Sequence, residues 1–104
     1  MPQTPRSPVP KQVSEVATEL ERVVQRWRRL PLDRALSYSG RVRPLVQSLA
    51  DGVAKATGVP ASVVPDCGPA TLMDQLTVLV YDASAAAVTS RFAKDLANLR
   101  RELV

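Results

Sequence analysis

Apolar residues return along this chain at intervals of three and four, and that spacing sorts most of it into helices. Val13, Val16, Leu20, Val23, Trp27 and Leu30 fall on one stripe, with Glu15, Glu19, Arg22, Arg26 and Arg29 on the opposite face. The acidic residues come early and the arginines late, as the helix dipole favours. Pro10 suits a first turn, and Pro31 ends the helix near Leu30. A second helix is predicted over 33–57, capped by Asp33, with Ala35, Leu36, Val42, Leu45, Val46, Leu49, Val53 and Ala56 as its apolar set. Ser39-Gly40 and Pro44 interrupt that pattern. The segment therefore reads either as one kinked helix or as a short helix followed by a longer one from about 41. Gly58, followed by Pro60, is a helix stop.

Residues 58–69 are rich in glycine and proline and predict a connecting loop, laid on the core through Val59, Val63 and Val64. Beyond it, Leu72, Leu76, Leu79 and Ala83 form one helical stripe. Ala87 or Val88, Phe92, Leu96, Leu99 and Leu103 form a second, shifted one. The shift falls near Asp82-Ala83-Ser84 and predicts one long bent helix over 70–103 or two helices broken there. Thr71-x-x-Asp74 has the spacing of a capping box. The run Gln75–Tyr81 is β-branched enough to rival a buried strand, but it has no evident partner strand, so helix is the reading adopted. Pro2, Pro5, Pro8 and Pro10 predict a disordered or extended tail over residues 1–10. The expected fold class is all-α: a single domain over 11–104, built as a small bundle of three to five helices.

Composition narrows the chemistry. There is no histidine and one cysteine, Cys67. A Ser-His-Asp triad, a Cys-His dyad, His-containing zinc sites and four-cysteine zinc sites are therefore excluded for a monomer. No glycine-rich phosphate loop is present, and no stretch is apolar enough to cross a membrane. Cys67 precedes a predicted helix, a position that favours a reactive thiol, yet no histidine exists to act as its base. Asp66, Asp74, Gln75 and Asp82 border the most apolar segment. Capping and side-chain hydrogen bonding are their expected roles, with a contact surface as the alternative for Asp74 and Gln75. The reading is a non-enzymatic protein with no cofactor, no metal and no small-molecule substrate. A lone thiol and no apolar leader point to the cytoplasm.

Charge singles out the first half. Residues 1–43 hold nine basic and four acidic residues, whereas 44–104 hold five and six. The densest cluster is Gln25-Arg26-Trp27-Arg28-Arg29. Arginine forks suit carboxylates and phosphates, and an aromatic neighbour can anchor an interface. Arg22, Arg26, Trp27, Arg28 and Arg29 are the candidate partner-binding residues, with Arg41 and Arg43 extending the patch if the second helix packs antiparallel to the first. The helical phase of Trp27 also suits a core position. The expected function is a helical protein-interaction module, with another protein or a second copy as partner. The apolar stripes on the first and last helices would support a homodimer. The alternative is a nucleic-acid-associated regulator that binds through the basic half.

Overall fold

The computed structural model describes residues 11–88 and 92–103, with side chains from Glu15 onward. The proline-rich segment 1–10 lies outside the described residues. Among those residues the chain is all-α, with four helices and no strand: α1 (Lys11–Arg29), α2 (Leu32–Thr57), α3 (Pro69–Ala85) and α4 (Phe92–Glu102). Each stripe read from the sequence supplies one wall of a common core: Val16, Val23 and Trp27 from α1, Val42, Val46 and Leu49 from α2, Leu72, Leu76 and Val80 from α3, and Phe92, Leu96 and Leu99 from α4. Burying a side chain of this size is worth roughly 1.5–3 kcal/mol, and these contacts supply most of the driving force for helices that are marginal alone.

α1 packs chiefly on α4, and α2 on α3, with lesser α1–α3 and α2–α4 contacts. Chain direction follows from the residues that meet. Glu15 borders Ala93 and Lys94 while Arg26 reaches Arg100, so α1 and α4 run parallel. Arg41 meets Glu102 while Ser48 shares a groove with Asp95, so α2 and α4 run antiparallel. Gly40 and Arg43 border Leu72 and Gln75, and Ala50 and Ala54 border Leu79, so α2 and α3 are parallel. The α2–α3 connection therefore has to run back along α2. It is pinned there by Gln47, whose Oε1 accepts the Val64 N–H at 2.9 Å and whose Nε2 donates to the Ser62 carbonyl at 3.0 Å.

The structure decides several local alternatives and changes some expectations. α2 is a single helix. The Ser39 hydroxyl folds back onto the Ala35 carbonyl at 3.0 Å, and Pro44 sits on the exposed face, where the Gly40 carbonyl that loses its donor can meet water. Asp33 does not cap α2: the helix starts one residue earlier after Pro31, and Asp33 occupies the first turn with no side-chain cap bond. Leu36, assigned to the apolar set of α2, is 54% exposed, because α3 begins too far along α2 to cover it. Thr71 does not open a capping box, since α3 begins at Pro69 and the Thr71 hydroxyl donates to the Gly68 carbonyl at 3.1 Å. The segment 75–81 is helical, as adopted, and the last third is two helices, the first ending at Ala85, one residue past Asp82–Ser84.

Two helix ends use the same left-handed device with different residues. At the end of α2, Gly58 has φ +72° and the Val59 N–H bonds the Ala54 carbonyl at 2.9 Å. At the end of α3, Ala87 has φ +59° and the Val88 N–H bonds the Ala83 carbonyl at 2.9 Å. A Cβ is unfavourable in that conformation and glycine is not. Gly58→Ala should therefore lower stability by about 1 kcal/mol, and Ala87→Gly should raise it by up to about 1 kcal/mol. Urea unfolding of the two variants checks the opposite signs.

Candidate functional site

Residues 22, 26 and 29 lie four and three apart, so their side chains leave α1 on one flank, while Arg28 is out of that register. The flank faces α4. Arg26 donates through Nη1 to the Arg100 carbonyl in the last turn of α4, at 2.5 Å, where the helix dipole favours a cation. Arg22 stands 3.6 Å from Glu19. Glu19 also accepts Nε of Arg100 at 2.5 Å, and both side chains of that pair are largely covered, at 16% and 20% exposure. Arg22 is mostly exposed and its ion pair contributes little, but Glu19–Arg100 ties α1 to α4.

The sequence cluster therefore divides. Trp27 is only 8% exposed and belongs to the core, so it is not a surface anchor. Arg26 is committed to α4. Arg28 and Arg29 are exposed and meet no hydrogen-bond or ion-pair partner among the described residues. Arg41 and Arg43 do not extend the patch, because they leave α2 on different sides. Arg41 pairs with Glu102 at 3.0 Å, and Arg43 pairs with Asp66. The apolar stripes of α1 and α4 face each other inside one chain, which removes them as a surface for a second copy.

What the sequence did not single out is the corner between α1 and α2. Arg34 lies one turn into α2, with its guanidinium 5.9 Å from the centre of the Tyr38 ring. Arg26, Arg29, Leu30, Pro31, Arg34 and Leu103 line an open groove of about 430 Å³. Leu32 and Leu36, in the first two turns of α2, are not part of its lining and are 70% and 54% exposed. The signal available in the sequence was the Leu32, Leu36 spacing of four, which sets this pair off the main α2 stripe. Guanidinium groups around an apolar floor suit a ligand that combines carboxylates with aliphatic or aromatic groups.

The remaining polar residues read as local fasteners. Gln75 donates to the Pro65 carbonyl at 3.0 Å, holding the loop rather than offering a contact. Asp74, Asp82 and Cys67 are exposed. Among the described residues no three acidic or thiol groups gather closely enough to hold a metal ion. The Asp66 carboxyl is held below the ordinary carboxylate range, first by the Gly68 N–H at 3.0 Å and then by Arg43. Compared with protein-family models, curated proteins and solved structures, the chain matches none.

Two measurements follow from these contacts. Because the folded value of Asp66 lies below its unfolded value, its contribution to stability is full above the ordinary aspartate range. It is lost as pH falls through the lowered value. The stability difference between wild type and Asp66→Asn should therefore shrink as pH drops below about 4, read by urea unfolding at each pH. Glu19→Ala leaves the largely covered Arg100 without its carboxylate and should cost about 1–3 kcal/mol, read by thermal unfolding.

Proposed function

We propose that this protein is a non-enzymatic interaction module that docks an acidic, apolar segment of another polypeptide on the α1–α2 corner. The observation that carries this reading is the pair Arg28 and Arg29, exposed and without a partner among the described residues, followed within eight residues of chain by exposed Leu32 and Leu36. Exposed leucines supply area that gains by leaving water, and arginines supply orientation and encounter rate toward carboxylates. No helix among the described residues is long and apolar enough to cross a membrane. A cytoplasmic location is part of the proposal and rests on the single free thiol.

The nucleic-acid alternative draws on one observation: residues 22–43 carry seven arginines and a single acidic residue. It is the weaker reading, since Arg22, Arg26, Arg41 and Arg43 are engaged within the chain. Phosphate-driven binding falls steeply with salt and is indifferent to leucines, whereas a mixed docking surface needs both. The test is fluorescence anisotropy of a labelled acidic amphipathic peptide and a labelled oligonucleotide of equal charge, titrated across a salt series. Peptide binding should weaken about tenfold or more in Arg28→Glu/Arg29→Glu and, separately, in Leu32→Ser/Leu36→Ser. Tighter oligonucleotide binding that ignores the leucine changes would replace this reading with the nucleic-acid one.

A further inference from the structure

The exposed large apolar residues of this molecule fall in two stretches of opposite charge. Six large apolar side chains are exposed among the described residues: Leu32, Leu36, Val59, Val63, Val78 and Tyr81. The first two lie in the arginine-rich stretch 22–43, just after exposed Arg28 and Arg29. The other four lie in the stretch 56–90, which contains no lysine or arginine and three aspartates, Asp66, Asp74 and Asp82. On α3, Asp74, Val78 and Tyr81 recur at four and three and share the outer side of the helix, with Asp82 adjoining. Beside them, the loop runs along α2 next to Leu79; of the three valines expected to lay it on the core only Val64 packs there, and Val59 and Val63 are exposed. One surface is thus apolar and basic, and the other apolar and acidic.

We infer that the acidic outer face of α3 in one copy docks on the basic α1–α2 corner of a second copy. The inference rests on the corner being a docking surface, as proposed above, and names a second copy of this chain as its occupant. One chain cannot satisfy itself. Leu79, next to Val78, lies at the level of Ala50, and Leu36 is fourteen residues away along the same helix, about 21 Å. Two different patches meeting make a heterologous contact, which propagates head to tail into a ring or a chain rather than closing on a twofold axis. Charge complementarity sets the direction: corner to corner and α3 to α3 are repulsive, and only corner to α3 is attractive.

Sedimentation velocity on the full chain across a concentration series tests it, with circular dichroism confirming that each variant is helical. Wild type should gain mass with concentration. Arg28→Glu/Arg29→Glu makes both surfaces acidic, and Asp74→Arg/Asp82→Arg makes both basic. Each alone should weaken association about tenfold or more. Their equimolar mixture should associate like wild type, because opposite surfaces are again available in both pairings. Tyr81→Ser, which changes no charge, should weaken association as well. Wild type that stays monomeric to high micromolar concentration overturns the inference, as does a mixture that stays monomeric or a reversal that leaves association intact. Asp74→Arg/Asp82→Arg keeps the corner whole, so the acidic peptide used above separates the two failures. Peptide binding with no self-association sinks only the second copy, and no peptide binding sinks the corner itself.

Discussion

Gln47 holds the chain on a path that helix packing alone would not select. Short connections leave successive helices antiparallel, whereas α2 and α3 run the same way. The chain must travel back along α2 before α3 can begin. From Gly58 to Arg43 is about 22 Å of helix, and the eleven residues 58–68 span about 36 Å when extended, so the return fits with slack. Ordering that slack costs conformational entropy, which the bonds made along the path must offset. Gln47 takes up the slack by bonding Val64 and Ser62, and Arg43 completes the return at Asp66, beside the first turn of α3. Once α3 is parallel to α2, α4 comes back antiparallel, and α1 closes the core alongside it.

Helix identity was legible because the apolar stripes are long and regular. Each stripe contributed residues to the core, although Leu36 and Ala56 of the α2 set are exposed and the Val13 side chain lies outside the described residues, and Trp27 went with its stripe rather than with its arginine neighbours. Boundaries were harder because they are decided by a few backbone groups. Asp33 and Thr71 look like caps, yet prolines at 31 and 69 preset the helical entry and displace them. Pro44 looks like a break, yet it falls where the lost hydrogen bond faces water. Leu36 looks like a core residue, and only the late start of α3 leaves it bare. That start is set by the loop path, a long-range fact that no local window contains.

The candidate site was legible in half. Charge density pointed to residues 22–29, and Arg28 and Arg29 are indeed exposed. What sequence spacing could not resolve is which arginines the fold consumes. Arg26 ends on an α4 carbonyl because α1 and α4 are parallel, which places the C-terminal end of α4 beside the second half of α1. Arg41 and Arg43 are drawn off by Glu102 and Asp66, each brought close by a different neighbour of α2. Arg28 and Arg29, without a partner among the described residues, precede exposed Leu32 and Leu36 in the chain, and the proposed corner rests on this combination rather than on the total charge.

Pro44 gives that corner one more property. Upstream of it, residues 32–40 bury only Ala35 and Ser39, and the helical ladder that joins them to the rest of α2 lacks one rung. This segment therefore opens at a lower free energy than the half of α2 that carries Val46 and Leu49. A partner that recognises Leu32 and Leu36 in helical form adds its binding energy to the closing of those turns. Occupancy of such a corner and order of the helix would be one linked equilibrium, set in part by a proline about two turns from Leu36 and three from Leu32.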